Sequence, residues 1–133
     1  MAIIVLDTSA LIEVVAGEPT RPALIRATRG MDLVAPPSVH WEVGNAFSAL
    51  LRRKRIRRDQ VEAALAAYAA IPLRFVDVDL GEAVTLADGL GLYAYDAYVI
   101  VCARQQRAPL LSLDREFVGA ARRAGAQVME EFA

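Results

Sequence analysis

The stretch Ile3-Ile4-Val5-Leu6-Asp7-Thr8-Ser9 decides the fold class of this chain. Its four consecutive aliphatic residues, three of them β-branched, predict a strand that is buried on both faces, as in the centre of a parallel sheet. The run stops at Asp7, and Thr8 and Ser9 can cap the helix that the following apolar residues predict. A buried strand followed at once by a helix is typical of a β-α-β unit.

Further along the chain, short apolar runs alternate with longer segments of helical period. Further strands are predicted at 33–35, 73–78 and 110–113, with a possible edge strand at 127–129. Helices are predicted from Thr8 to Gly17, at 21–28, after Pro37 through Leu51, at 59–70, 81–90 and 96–106, and after Asp114. This alternation predicts an α/β fold, a three-layer α/β/α sandwich around a central, mostly parallel sheet.

Size and composition indicate a single domain over residues 1–133. With 56% hydrophobic and 23% charged residues, the chain has ample apolar area for a core. Part of that area is expected to be buried between subunits, which predicts a homodimer.

The single cysteine, Cys102, excludes an internal disulfide framework, and the N-terminus lacks the features of a secretory signal. No apolar run approaches the roughly 18 to 20 residues that span a bilayer, so we expect a cytoplasmic protein with no membrane partner.

Acidic residues stand where an α/β sheet binds ligands. Asp7 comes directly after the first strand, and Asp114 comes after the last. Ligands bind outside the carboxyl ends of the strands in open α/β sheets, so these carboxylates are predicted to face one site. Asp96 opens an apolar helix, and Glu42 lies in the first turns of the helix after Pro37. The alternative for Asp7 and Asp114 is helix capping, which is worth about 1 kcal/mol each.

Several carboxylates in one crevice repel one another, and each takes up a proton unless a cation offsets the repulsion. Mg²⁺ prefers oxygen ligands and keeps several waters, which suits one or two direct carboxylates and others acting through water. Such a metal lowers the pKa of a bound water, aligns it for attack and neutralises charge on a phosphodiester. The acids therefore predict a magnesium site for phosphate chemistry, at which Mn²⁺ is expected to substitute.

The segments that carry these acids resemble the motifs of the PIN domain family. They are Val5-Leu6-Asp7-Thr8-Ser9-Ala10-Leu11, Glu42, Tyr95-Asp96-Ala97 and Ser112-Leu113-Asp114. More narrowly, they are similar to the motifs of the VapC-type toxin ribonucleases of toxin–antitoxin pairs. The resemblance covers nearly the whole chain and keeps the order of the motifs. The chain departs from it in the last motif, where the family often has threonine and this chain has Ser112.

The resemblance implies a magnesium-dependent endoribonuclease, the toxin of a type II toxin–antitoxin pair. The implied catalytic quartet is Asp7, Glu42, Asp96 and Asp114. Of these, Asp7 and Asp96 are the expected direct metal ligands, and the other two act directly or through water. The hydroxyl side chains expected to contact substrate are Thr8, Ser9 and Ser112. The implied partners are RNA and a cognate antitoxin that blocks the active-site groove.

Positive charge is concentrated in one short segment, although the net charge of the chain is −1. Its basic residues are Arg52, Arg53, Lys54, Arg55, Arg57 and Arg58. A charge run at a helix end is usually a solvated face that also complements the helix dipole. The alternative is that these residues, Arg52, Arg53 and Arg55 in particular, bind RNA phosphates, which would make affinity depend on salt.

Three other functions stay open on the sequence. A PIN-like RNA-processing nuclease outside a toxin–antitoxin pair would use the same residues. An aspartate-based phosphatase would be phosphorylated at Asp7, but such enzymes carry a second aspartate two positions later, where Ser9 stands, and their lysine would have to be Lys54. A non-catalytic RNA-binding or protein-binding module is the third, and the four filled acidic positions give it no support.

Overall fold

The structure, a computed structural model, describes residues 1–17 and 19–129. Within these ranges, four parallel strands form one sheet, and seven α-helices surround it. The strands are β1 (Ile3–Leu6), β2 (Asp32–Ala35), β3 (Leu73–Phe75) and β4 (Leu110–Leu111). The helices are α1 (Thr8–Ala16), α2 (Arg21–Thr28), α3 (Ser38–Arg52), α4 (Arg58–Ala69), α5 (Leu80–Leu90), α6 (Ala94–Gln106) and α7 (Arg115–Arg123).

The strand order is β3-β2-β1-β4, so β1 lies inside the sheet. Val5 pairs with Val34 of β2 on one side and with Leu110 of β4 on the other. All three residues are fully buried, as the uninterrupted apolar run of β1 predicted. Because the strands are parallel, their carboxyl ends meet along one edge, and the residues that follow β1 and β4 become neighbours there.

Helices cover both faces of the sheet. Leu6, Leu33 and Leu111 share a face and line a groove together with residues of α1 and α2. Helix α6 packs against β1 and pairs with α5. The predicted three-layer α/β/α sandwich is confirmed, and its sheet is parallel throughout.

Strand β3 ends at Phe75, so the predicted strand at 73–78 is too long. Its hydrogen-bonding partner is β2, and the last bond of the ladder runs from the Val76 amide to the Ala35 carbonyl at 3.0 Å. Beyond this point β2 is followed by Pro36 and Pro37, which have no amide hydrogen. The ladder therefore cannot continue.

Strand β4 ends at Leu111, and the predicted strand at 110–113 is also too long. The amides that follow are used by serine side chains, since Leu113 N donates to Ser9 Oγ at 3.0 Å and Asp114 N donates to Ser112 Oγ at 3.1 Å. The predicted edge strand at 127–129 is reduced to one parallel bridge between Val128 and Leu110. The chain therefore leaves the sheet one residue after β4 and turns toward the residues that follow β1.

Helix α6 begins at Ala94, two residues before the predicted start at Asp96. Tyr93 has the extended backbone of an N-cap residue, with φ −68° and ψ 149°. Asp96 thus lies in the first turn, where a negative charge complements the helix dipole. The position still brings its side chain to the end of an element, as the sequence predicted.

Helix α6 is a core helix, with six buried residues between Ala97 and Ala103. One of them is Cys102, and burial raises the pKa of its thiol to about 12, which makes the thiol inert at neutral pH. In the part of the chain that the structure describes, no single helix is long and apolar enough to cross a bilayer. Helices α5 and α6 reach that length and composition only when counted together, across a 117° bend.

Candidate active site

Asp7 is a buried carboxylate at the carboxyl end of β1, with 8% of its surface exposed. It caps α1, because Oδ1 accepts a hydrogen bond from Ala10 N at 3.1 Å. Its own amide donates to Leu111 O at 3.3 Å, which continues the pairing of β1 with β4. The pairing places Asp7 beside Ser112. Asp7 therefore fills the capping role and still lies at the predicted site.

Two serines orient the Asp7 carboxylate. Ser9 Oγ donates to Oδ1 at 2.7 Å, and Ser112 Oγ donates to Oδ2 at 2.5 Å. The two hydroxyl oxygens are themselves 3.2 Å apart. The sequence identified both serines as substrate contacts, which stays a prediction, but it missed their contact with Asp7. The contact between Asp7 and Ser112 follows from the register of β1 and β4, which pairs Leu6 with Leu111, and the sequence does not show this register.

We expect Ser112→Ala to destabilise the protein by about 1–3 kcal/mol, because the change leaves a buried acceptor on Asp7 and the amide of Asp114 without their partner. Ser112 is 1% exposed, so water cannot easily replace the hydroxyl. Urea unfolding at neutral pH measures the effect. Ser48→Ala, on the exposed face of α3, is the matched control and should change stability by less than about 0.5 kcal/mol. Equal stabilities for the two variants would contradict the assigned role of Ser112.

Glu42 reaches the site from α3. The buried residues Val39, Val43 and Phe47 hold this helix against the core, and Glu42 lies beside their stripe, half-buried. Burial raises the pKa of Glu42, and the nearby charges of Asp96 and Asp7 raise it further.

Thr8 is the third predicted hydroxyl contact, and it lies next to Glu42. Its hydroxyl slightly offsets the rise in the Glu42 pKa. The buried Oγ1 nevertheless makes no well-directed hydrogen bond with any residue that the structure describes. Thr8 therefore lies close to Glu42 without a well-directed hydrogen bond to it. Its contact with substrate stays a prediction.

Asp96 and Asp114 complete the set from α6 and from the start of α7. Burial raises the pKa of Asp96, and the charges of Asp114 and Glu116 add to the rise. Asp114 also caps α7, where its Oδ1 accepts from Phe117 N at 3.2 Å. Glu116 is an acid that the sequence analysis did not single out, because it lies inside the first turn of α7 and not at a strand end. In the structure, the charge of Glu116 is close enough to raise the pKa of Asp96.

Asp7 joins this electrostatic network as well. Burial raises the pKa of Asp7 and the charge of Asp114 adds to the rise, while its hydrogen bonds to Ser112, Ser9 and Ala10 lower it. The four predicted carboxylates are thus linked through neighbouring pairs, Asp7 with Asp114 and Glu42, and Asp96 with Glu42 and Asp114, although their origins span more than a hundred residues of sequence. A site of this kind favours a bound cation, which relieves the repulsion.

The donor set fits magnesium better than a metal that needs a closed cage. Across residues 1–17 and 19–129, no three His, Cys, Asp or Glu side chains are close enough to hold one ion. Zinc in structural sites is enclosed by four such ligands. Mg²⁺ binds through one or two carboxylates and keeps water at its other positions. Carboxylates that are too far apart for three of them to enclose one ion match this second pattern, in which water fills the other positions.

The basic segment lies away from the acids. Helix α3 starts just beyond the carboxyl end of β2, with Glu42 near its beginning and Arg52 at its end. Arg52 lies ten positions after Glu42, and ten steps of 1.5 Å along a helix correspond to about 15 Å. Contact of Arg52, Arg53 and Arg55 with substrate stays a prediction, but any such contact lies well away from the acidic site.

An apolar groove of about 380 Å³ lies between α1, α2 and the sheet. Its walls include Leu11, Val14 and Leu24, and none of the four acids lines it. It is therefore distinct from the acidic site.

The sequence and the structure of this chain are both similar to those of known proteins. The model of the PIN domain family matches residues 4–123. Among solved structures, PAE2754 from Pyrobaculum aerophilum is similar with a TM-score of 0.74 and 22% identity, over 98% of this chain and 85% of that one. VapC20 (Rv2549c) of Mycobacterium tuberculosis, described as a toxin that cleaves the sarcin–ricin loop, is similar with a TM-score of 0.62 and 19% identity, over 88% of this chain and 94% of that one.

A comparison with curated protein sequences gives no match. Identities of 22% and 19% show a shared fold. The family match covers most of the chain, including the carboxylates that follow β1 and β4. This chain belongs to the PIN domain family.

Proposed function

We propose that this protein is a magnesium-dependent endoribonuclease whose site is formed by Asp7, Glu42, Asp96 and Asp114. The observation that carries the proposal is the electrostatic coupling of these four carboxylates at the carboxyl edge of a parallel sheet, in a chain of the PIN domain family. Membership of that family supports a nuclease. The motif resemblance supports RNA as the substrate.

In the proposed mechanism, Asp7 and Asp96 are the residues that would hold the metal. Ser9 and Ser112 hold the Asp7 carboxylate in one orientation, so little rearrangement is needed when the ion binds. The bound ion would supply an activated water and would neutralise charge on the phosphodiester. Glu42 and Asp114 would act on the ion directly or through water, and the raised pKa of Glu42 suits its carboxylate to accept a proton from the attacking water.

We further propose that the protein is the toxin of a type II toxin–antitoxin pair, that it acts in the cytoplasm and that it forms a homodimer. The motif resemblance and the fold shared with VapC20 support the toxin assignment. Its partner would be a cognate antitoxin that blocks the acidic groove. Growth arrest on expression of the toxin alone, relieved by co-expression of the neighbouring short reading frame, would support this pairing.

The proposed function is tested with purified protein, free of antitoxin, on long RNA. We expect cleavage with Mg²⁺ or Mn²⁺ and none with excess chelator. Because a metal-activated water attacks the phosphorus, a 2′-O-methyl group at the mapped cleavage site should leave the bond cleavable. A binding module would instead shift the RNA in a gel without shortening it, and a phosphatase would release phosphate from small monoesters and carry a phosphoryl group on Asp7. Cleavage that persists in chelator would reject the mechanism.

A further inference from the structure

We propose that the loop between α3 and α4 is a second RNA-binding site, which holds the phosphate backbone of the substrate about 15 Å from the acidic site. Its charge is carried by Arg52, the last residue of α3, and by Arg53, Lys54 and Arg55, which follow it, and these four residues are called the arginine loop below. The inference rests on the proposed ribonuclease function and names its substrate class. That class is RNA that extends several nucleotides beyond the cleaved bond.

The arginine loop has a concentrated positive charge that no residue in the described ranges neutralises through an ion pair. Two neighbouring cations are paired, since Arg57 Nε lies 3.0 Å from Asp59 and Arg58 Nε lies 3.8 Å from Glu62. By contrast, no ion pair with a described residue involves the four cations of the loop, and all four are exposed. Four unpaired cations on consecutive positions repel one another. A polyanion relieves that repulsion on binding.

The backbone of the loop is closed in a defined conformation. Lys54 N donates to Leu51 O and Arg55 N donates to Leu50 O, each at 3.0 Å. Lys54 has a φ of +57°, in the left-handed region where glycine is the usual residue. Lys54 thus carries an ammonium group at a position where glycine would relieve the backbone strain. Leu51 and Ile56 anchor the two ends of the loop against the core.

The loop also forms a concave surface. A hollow of about 510 Å³ is lined by Lys54, Arg55, Arg57 and Gln60, with Leu51 and Ile56 as its apolar floor. The hollow includes the start of α4, whose first amides favour an anion. A phosphate there would lie beside the unpaired cations Lys54 and Arg55.

An exposed surface of α3 joins the arginine loop to the acidic site, and an RNA strand can lie along it. One exposed stripe of α3 runs through Trp41, Asn45, Ser48 and Arg52, at helical spacing. Glu42 is the only acid in α3, so the stripe carries no negative charge that would repel a phosphate backbone. Trp41, which is 74% exposed, offers an aromatic face at the end near the acids, where an unpaired base can stack.

The spacing of the two sites sets a minimum substrate length. A stacked strand advances about 3.4 Å per nucleotide, so about 15 Å corresponds to about four to five nucleotides. RNA that ends two nucleotides from the cleaved bond would reach the acids but not the arginine loop. The protein should therefore distinguish short from long RNA through affinity and not through the chemical step.

The experiment compares two RNAs that share one mapped cleavage site, with two and with twelve nucleotides on each side of it. The variant is Arg52→Ala/Arg53→Ala/Arg55→Ala. The control is Arg21→Ala/Arg26→Ala/Arg29→Ala, which removes the same charge from exposed positions on and after α2. For the loop variant we expect KM for the long RNA to rise at least about tenfold, with KM for the short RNA and both kcat values unchanged. For the long RNA, the loop variant should also depend less on salt, and its slope of log affinity against log salt should be about two units shallower than that of the wild type.

Binding of the long RNA to the Asp96→Asn protein, with and without the three loop substitutions, measures the arginine loop when no cleavage occurs. If RNA is never cut but the loop substitutions lower this binding and its salt slope, the ribonuclease proposal fails and the second site stands. The second site is overturned if KM and the salt slope for long RNA do not change, or if short and long RNA are affected equally. It is likewise overturned if the α2 control has the same effect, or if light scattering shows that the loop variant has lost a subunit contact.

Discussion

Replacement of Asp96 by asparagine is expected to lower kcat for RNA cleavage by about 10³-fold while the protein stays folded. A metal ion that loses a charged ligand stabilises the transition state less. A loss of about 4 kcal/mol in this stabilisation lowers the rate by about 10³-fold. Asp96 is a cleaner choice than Asp7, which also caps α1 and accepts bonds from Ser9 and Ser112. Single-turnover cleavage in Mg²⁺ and thermal unfolding measure the two parts of the prediction.

Asp88→Asn is the matched control for this variant. Asp88 is exposed on α5, and the same charge is removed there without touching the acidic site. We expect its cleavage rate to equal that of the wild type within about twofold. A folded Asp96→Asn protein that retains more than a tenth of the wild-type rate would remove Asp96 from the set of metal ligands.

The second large effect is expected in the dependence of stability on pH and magnesium. Burial is the main cause of the raised pKa values of Asp7, Glu42 and Asp96. The folded state therefore holds these protons more tightly than the unfolded state, so the ionised forms weaken the fold. This loss is absent below the ordinary pKa values of 3.8 and 4.5 and complete above the raised values. Without metal, these three groups make stability fall as pH rises from the ordinary pKa values through the raised ones.

Magnesium is expected to reverse this loss, since it binds the ionised carboxylates of the folded state. At ten times its Kd, an ion bound only by the folded state adds about 1.4 kcal/mol. Thermal unfolding at pH 5 and pH 7.5, with chelator and with Mg²⁺, checks the prediction, and the gain from Mg²⁺ should be larger at pH 7.5. Asp96→Asn should shrink that gain, whereas Asp88→Asn should preserve it. An equal gain at both pH values would show that the ion does not bind the ionised acids.

The sequence was most informative about the elements with unbroken patterns. The run from Ile3 to Leu6 predicted a strand inside the sheet because it is short, mostly β-branched and apolar at every position, as in a strand buried on both faces. The apolar stripe of α3 predicted the face that packs on the core. The predictions were wrong where pairing partners end the element, as at Phe75, where the prolines after β2 stop the ladder.

Assignment of the four acids followed from their places at the ends of elements and from the motif resemblance, and the structure places them within electrostatic reach of one another. Their catalytic role stays a prediction. The contribution of Glu116 was missed because its effect depends on the direction in which the first turn of α7 faces. The two serines were identified, but their contact with Asp7 was not.

What the sequence alone determined is the α/β class, the inner strand and the edge at which Asp7 stands, since these depend on local hydrophobic pattern and on where it stops. Only the tertiary structure decided that Ser9 and Ser112 donate hydrogen bonds to the two oxygens of Asp7. The physical reason is that these contacts depend on the register of β1 and β4, which is set when distant segments of the chain pack together.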